Sequence, residues 1–160
     1  MVSTELRCLF GLITVLTIAF DLGCWNEETW ERDKDLEMDN DRVVLCIMHG
    51  LNGPMKLNTL ALLGGDPLSP LNINDTIYIL KKVKEQKPDL EVICWTGFLY
   101  DQVEGSKELK PALEYIDVLI DGRFMLERRI EGKKYGSDNQ RCINVPKTLE
   151  EDKIILAEGF

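Results

Sequence analysis

Two short segments carry residues that could bind a metal or a small ligand. Cys24 lies between Gly23 and Trp25, and a cysteine thiolate is a good ligand for iron. Gly64–Pro67 reads Gly-Gly-Asp-Pro after an apolar run, and glycines there let a ligand approach backbone N–H groups closely. Taken singly, each segment has a plainer interpretation. A lone cysteine beside tryptophan is usually a small buried side chain, and Gly-Gly-Asp-Pro is a favourable turn.

Other polar groups are more typical of structure than of catalysis when each is considered alone. Thr96 and Asp121 follow apolar runs, as residues at strand ends do. The run Asn139–Arg141 is typical of hydrogen bonding within a loop. His49 is the single histidine of the chain, which argues against a histidine-rich metal site or a Ser-His-Asp triad. We expect His49 at the surface or at a helix cap.

The cysteine pattern argues against a disulfide framework. The chain has 5 cysteines, an odd number, and no two are spaced as Cys-x-x-Cys. We therefore expect a reducing, cytoplasmic environment. Three of the cysteines lie in apolar runs and are predicted to pack in the core, namely Cys46, Cys94 and Cys142.

Length and charge exclude several classes of partner. The 160 residues are predicted to form one domain, residues 1–160, which is large enough to bury a core without disulfides. The formal net charge of −9 repels phosphate backbones and anionic lipid, so we expect no nucleic acid and no membrane as partner. A basic surface on a partner protein remains compatible with this charge.

The N-terminal segment Leu9–Phe20 is almost wholly apolar and rich in β-branched residues. It is shorter than the roughly 20 residues that a membrane-spanning helix needs, and we interpret it as a buried strand. A helix and an export signal stay open as alternatives. Leu22–Cys24 is weakly similar to a lipoprotein cleavage site, although Asp21 stands where an apolar residue is usual.

Further along, apolar runs alternate with helical patterns, which is typical of an α/β domain with a mainly parallel sheet. Ligands of such sheets bind outside the carboxyl ends of the strands. Val43–Met48 fits either a strand or a helix, and a helix capped by Asn74 or Asp75 is predicted after the Gly-Gly-Asp-Pro turn. The predicted strands are Leu57–Leu63, Glu91–Trp95 and Asp117–Asp121, with a short helix at Glu108–Tyr115.

Five blocks in a fixed order, between Gly23 and about Lys147, resemble one enzyme family. Together they are similar to the activating component of the anaerobic, class III ribonucleotide reductase. INVPKTLEE (Ile143–Glu151) resembles the tail of that family. The blocks are GCWNEETW (Gly23–Trp30), LLGGDPLSPLN (Leu62–Asn72), CWTGF (Cys94–Phe98), YIDVLIDGRF (Tyr115–Phe124) and GSDNQR (Gly136–Arg141).

The resemblance implies a fold, cofactors and a partner. The family folds as a shortened, open radical-SAM partial barrel with a mainly parallel sheet. It binds a [4Fe–4S] cluster through a Cys-x3-Cys-x2-Cys loop and uses S-adenosylmethionine to generate a glycyl radical. The expected activity is that of a radical-SAM oxidoreductase, a glycyl-radical activase. Its partner is the large subunit of anaerobic ribonucleoside-triphosphate reductase, which carries the radical.

Residue by residue, the resemblance assigns Cys24 as the third cluster ligand. The Gly-Gly-Asp turn matches the one that holds the methionyl end of S-adenosylmethionine. Thr96 and Asp121 match strand ends that face the same cavity. Six residues are thus assigned to cofactor binding: Gly23, Cys24, Trp25, Gly64, Gly65 and Asp66.

Two of the three expected cluster cysteines are absent. Counting back from Cys24, the family spacing places the other ligands at positions 17 and 21, where this chain has Thr17 and Asp21. Neither side chain substitutes well for a thiolate, so these residues argue against a bound cluster. Residues 1–22 therefore form an atypical N-terminal segment. Among the remaining cysteines, Cys94 has the position that best suits a replacement ligand.

Three functions remain open at this point. The first is an active activase with unusual ligands. The second is a non-catalytic radical-SAM-like scaffold that has lost its cluster and acts by partner binding, which the missing cysteines favour. The third is an exported protein acylated at Cys24. It requires cleavage before that residue, so an intact mass that includes Met1 would remove it.

Overall fold

The computed structural model describes residues 8–9, 12–17, 38–133 and 135–159, the first two ranges as backbone alone. Six strands and four α helices lie within these ranges. The same ranges also contain two short 3₁₀ helices, at Lys110–Glu114 and Leu126–Arg128. In chain order the elements are β1 (Cys8–Leu9), β2 (Leu12–Thr17), α1 (Asn40–Leu51), β3 (Thr59–Gly64), α2 (Ile73–Gln86), β4 (Glu91–Trp95), α3 (Tyr100–Gly105), β5 (Val118–Asp121), β6 (Arg141–Asn144) and α4 (Val145–Glu151).

The strands form one six-stranded sheet in the order β1-β2-β3-β4-β5-β6. Strands β2 to β5 are parallel to one another, while β1 and β6 run antiparallel to their neighbours at the two sides. The α/β class and the mainly parallel sheet predicted from the sequence are therefore confirmed. Because the four central strands run the same way, their carboxyl ends meet at one edge, which we call the carboxyl edge.

The two faces of the sheet are covered differently. Leu62, Cys94 and Leu119 project into the main core, where helices α1 and α2 pack. Side chains alternate along a strand, so Ile93 and Ile120 lie on the opposite face in a second, smaller cluster with Cys142. The predicted burial of Cys94 and Cys142 is confirmed, whereas Cys46 on α1 is half-buried.

Helix α1 resolves the ambiguity of Val43–Met48 in favour of a helix. The Asp39 carboxylate caps it by accepting hydrogen bonds from the N–H groups of Asp41 and Arg42, at 2.9 and 3.3 Å. Its apolar side buries Ile47 and Leu51 completely. His49 lies exposed in its last turn, as expected.

Helix α2 begins earlier than predicted. Its N-cap residue is Asn72 rather than Asn74 or Asp75, and the Asn72 side chain makes no capping hydrogen bond. The Asn72 amide instead donates to the carbonyl oxygens of Gly65 and Asp66, at 3.3 and 3.1 Å. The prediction that Asn74 or Asp75 caps the helix was wrong, because the helix already begins at Ile73. The side chain at the N-cap position, Asn72, bonds to the preceding turn and not to the first turn of the helix.

The strand predictions differ from the structure mainly at their ends. Glu91–Trp95 is confirmed residue for residue, and the predicted Leu57–Leu63 strand lies at Thr59–Gly64. Asp117 stands outside β5 because its carboxylate accepts from the Val92 N–H and from Lys84, at 2.7 and 2.8 Å.

The remaining predicted elements agree in part. The expected helix at Glu108–Tyr115 is a 3₁₀ helix. The Leu9–Phe20 run contains β2 and the end of β1, and its last residues lie outside the described ranges. Within the described part of the chain, no helix is long and apolar enough to cross a bilayer.

Candidate functional site at the carboxyl edge

The Gly-Gly-Asp turn leaves the sheet at the end of β3. Gly64 is exposed and has a φ of 109°, a left-handed conformation that favours glycine. Gly65 is buried, and the Asp66 carboxylate accepts a hydrogen bond from the Leu68 N–H at 2.9 Å, which closes the turn. The exposed backbone at Gly64 is the part of the turn that a ligand can approach.

The Asp66 side chain joins β3 to β4. Its Oδ2 accepts hydrogen bonds from the Thr96 hydroxyl at 3.0 Å and from the Gly97 N–H at 2.8 Å. The Thr96 hydroxyl in turn accepts from the Phe98 N–H at 3.2 Å. The structure therefore brings together two of the residues that the sequence singled out, Asp66 and Thr96. Their contact orients the Gly-Gly-Asp turn.

Replacing Thr96 by valine is expected to lower the free energy of unfolding by about 1–3 kcal/mol, because buried hydrogen-bond partners of the hydroxyl are left without it. Thr96 is 4% exposed, and the change removes one bond to Asp66 and the acceptor of the Phe98 N–H. Urea titration measures the loss.

Thr59→Val is the matched control, since its hydroxyl also joins β3 to β4 by donating to Glu91 at 3.0 Å, but at an exposed place. The control should cost less than about 0.5 kcal/mol. Equal losses in the two variants would show that the buried Asp66–Thr96 hydrogen bond stabilises the fold no more than an exposed one does.

Asp121 belongs to a separate group at the end of β5. Its carboxylate is completely buried and accepts from the Tyr100 N–H at 2.8 Å. Arg141, its partner across β5 and β6, donates from Nε at 3.0 Å and also from a terminal guanidinium nitrogen. The hydrogen bond to Asp121 raises the pKa of Arg141. Asp121 thus contacts α3 and β6 rather than the group around Asp66.

The loop from β5 to β6 is fastened to this edge by the polar run that the sequence interpreted as loop hydrogen bonding. Gln140 donates to the Gly122 carbonyl at 2.9 Å and accepts from the Gly136 and Ser137 N–H groups, at 3.0 and 3.2 Å. Asn139 donates to the Arg123 carbonyl at 2.8 Å. The prediction of loop hydrogen bonding is confirmed for Asn139 and Gln140, whereas Arg141 lies on β6 and pairs with Asp121.

The N-terminal residues that the sequence predicts to bind the cofactor are placed only in part. Asp21, Gly23, Cys24 and Trp25 lie outside the described residues. The backbone of Thr17 is described, and it ends β2 with Gly64 as its register partner on β3. Position 17 therefore lies at the carboxyl edge, directly beside the Gly-Gly-Asp turn, where the family spacing places the first cluster ligand.

The described cysteines do not assemble a replacement cluster site. Cys94 and Cys142 lie on opposite faces of the sheet, and burial together with the nearby Asp66 charge raises the pKa of the Cys94 thiol. Cys8 pairs with Ile13, four residues or about 13 Å along β2 from Thr17. Over the described ranges, no three His, Cys, Asp or Glu side chains are grouped to hold a metal.

The donor set at the family positions does not fit a cysteine-bound [4Fe–4S] cluster. Such clusters are held by thiolates, and this chain offers two oxygen side chains, Thr17 and Asp21, beside a single thiol at Cys24.

Comparison with known proteins identifies the family. A family model described as a 4Fe-4S single cluster domain matches residues 22–143. The activating protein of the Haemophilus influenzae anaerobic ribonucleoside-triphosphate reductase is 35% identical over 106 residues, 66% of this chain and 67% of that protein. The chain belongs to the anaerobic ribonucleoside-triphosphate reductase-activating protein family.

Other members of the activating-protein family match over similar lengths. The protein of that name from Vibrio cholerae is 32% identical over 119 residues, 74% of this chain and 76% of the relative. The one from Enterobacteria phage T4 is 32% identical over 121 residues, 74% and 72% of the two chains. No solved structure matches the chain. The family assignment predicted from the five sequence blocks is confirmed.

The extent of the family match bears on the cluster ligands. The matched region begins at residue 22, after positions 17 and 21. It includes the Gly-Gly-Asp turn, the Asp66–Thr96 contact and the Asp121–Arg141 ion pair. The match therefore covers Cys24 and the carboxyl ends of β3, β4 and β5, and it leaves out β1, β2 and the two positions that lack a thiol.

Proposed function

We propose that this chain is the activating component of an anaerobic ribonucleoside-triphosphate reductase and acts in the cytoplasm on the large subunit of that enzyme. The observation that carries the proposal is the set of relatives of this name, which reach 35% identity over two thirds of both chains. These relatives favour an activating protein over a non-catalytic scaffold that serves only to bind a partner.

The proposed architecture is a single domain over residues 1–160, folded as a shortened, open radical-SAM partial barrel. The parallel arrangement of β2, β3, β4 and β5 supports it, because a parallel set of strands is the wall of such a barrel. A ligand would then bind at the carboxyl edge, where the Gly-Gly-Asp turn is exposed at Gly64.

The proposed S-adenosylmethionine site combines that turn with the N-terminal segment. When bound, S-adenosylmethionine would be the source of the radical that members of the family place on their partner. Gly64 would present its exposed backbone groups to the methionyl end, while the buried Gly65 and Asp66 would hold the turn in place through Asn72, Thr96 and Gly97. The register of Thr17 with Gly64 supports a site shared with Gly23, Cys24 and Trp25.

The proposed partnership is tested by complex formation with the large reductase subunit from the same organism. We expect saturable binding in the micromolar range, measured by sedimentation or by light scattering under anaerobic conditions. The absence of a complex at much higher concentrations would contradict the proposed function. This measurement does not depend on cluster content, so it tests the partnership separately from the chemistry.

A further inference from the structure

We propose that the loop between β5 and β6 is the docking surface for an acidic segment of the large reductase subunit, a proposal that rests on the proposed function. We call this surface the basic face. It consists of four cationic side chains and one leucine, all exposed: Arg123, Leu126, Arg128, Arg129 and Lys133.

Charge is the first argument for an acidic occupant. The loop between β5 and β6, residues 122–140, carries five cationic and three anionic side chains, a local charge of +2 in a chain whose formal net charge is −9. One of the anions, Asp138, is ion-paired with Arg128. A positive patch on an otherwise acidic protein attracts an acidic segment and repels basic surfaces, which sets the orientation of docking. Nucleic acid is disfavoured by the negative remainder of the surface.

The basic face also offers an apolar contact. Leu126 is 69% exposed at the start of a 3₁₀ helix, two and three residues before Arg128 and Arg129. Protein interfaces combine apolar anchors with arginine, because the guanidinium group stacks and binds carboxylates with two parallel hydrogen bonds. An acidic segment that also carries an apolar side chain therefore fits this surface.

The loop is pre-organised by bonds at its base. The Met125 N–H donates to the Ser137 hydroxyl at 3.1 Å, and the Ile130 N–H donates to the Gly136 carbonyl at 3.1 Å. Phe124 packs so closely on Gly136 that a Cβ there would stand 2.7 Å from the ring. A loop that is already ordered loses less conformational entropy on binding, so its exposed side chains contribute more to affinity.

The position of the basic face suits a partner that must reach the carboxyl edge. Arg123 follows Gly122, the first residue after β5, and its carbonyl is held by Asn139. Leu99, which is 45% exposed after β4, lies next to Gly122. A segment bound to the loop would be delivered beside the strand ends where the proposed cofactor site lies.

The experiment is the binding assay with the large subunit, repeated with Arg129→Glu combined with Lys133→Glu. We expect about a tenfold weaker complex, because like charges then meet across the interface, and a shallower dependence of affinity on salt. The matched control is Lys81→Glu with Lys107→Glu, which changes the net charge equally at two exposed lysines elsewhere. The control should bind within about twofold of the native chain.

The outcomes separate this proposal from the proposed function. If both double variants weakened binding to the large subunit equally, or if neither changed it, the proposed docking surface would be wrong while the partnership would stand. No binding by the native chain would overturn both. If the native chain bound a single-stranded RNA tightly and only the Arg129/Lys133 variant lost that binding, the assignment of this surface to an acidic protein segment would be wrong. Because the substituted residues are exposed, unchanged urea midpoints should show that both variants fold.

Discussion

Replacing Thr17 and Asp21 by cysteine is expected to raise the iron bound after anaerobic reconstitution from less than one to about four atoms per chain. The two changes give the chain the Cys-x3-Cys-x2-Cys spacing with Cys24. The backbone at position 17 already lies beside Gly64 at the carboxyl edge, so the first new thiol is placed next to the Gly-Gly-Asp turn. Iron and sulfide counts after desalting measure the gain.

The spacing itself is tested by a second double variant, Leu16→Cys with Asp21→Cys. It has the same number of thiols as the restored chain, but the first is displaced by one residue from the family position. We expect it to retain much less iron than the restored chain, because a single turn must present all three thiolates to one cluster. Four irons on the native chain would show instead that other ligands replace the missing cysteines.

Replacing Arg141 by methionine should lower the free energy of unfolding by about 2–3 kcal/mol, since it leaves a buried carboxylate without its cation. Asp121 is 0% exposed, and besides Arg141 it accepts from the Tyr100 N–H. The expected loss is below the 3–5 kcal/mol typical of a fully buried pair, because the Arg141 side chain is 36% exposed and partly screened by water.

The matched control for this prediction is Lys82→Met. Lys82 pairs with Glu85 at 3.3 Å, and the two side chains are 43% and 50% exposed. Breaking such a surface pair should change the free energy of unfolding by less than about 0.5 kcal/mol. If urea unfolding gave equal losses of unfolding free energy for the two variants, the Asp121–Arg141 pair would stabilise the fold no more than a surface ion pair does.

The sheet is the part of the fold that the sequence predicts best. The run Val92–Trp95 is apolar and begins with two β-branched residues; Pro88 comes shortly before it and Gly97 shortly after it, so both ends of β4 are marked. Val43–Met48 is ambiguous in the sequence, because a short apolar run suits a strand or a buried helix equally well. Asp39 caps α1 and so favours the helix over the strand. This cap is evident only from the hydrogen bond that the Asp39 carboxylate accepts in the first turn of the helix.

The site is predictable in its location and not in its contacts. The Gly-Gly-Asp turn and Thr96 follow successive parallel strands, so the sequence places both at one edge. The hydrogen bond between Asp66 and Thr96 depends on the register of β3 against β4, which no local pattern encodes. The role of Asn72 as a support of the turn is not predictable either, because its hydrogen bonds to the carbonyl oxygens of Gly65 and Asp66 depend on how the turn folds back on the start of α2.

The proposed activating function requires that this sheet supports radical formation once thiols stand at positions 17 and 21 beside Cys24. The most direct test incubates the large reductase subunit anaerobically with S-adenosylmethionine, a reductant and the reconstituted Thr17→Cys/Asp21→Cys chain, and then records the electron paramagnetic resonance spectrum. We predict a glycyl radical on the large subunit with the restored chain, and a far weaker signal with the native one. A restored chain that holds its cluster and binds the large subunit, yet forms no glycyl radical, would contradict the claim.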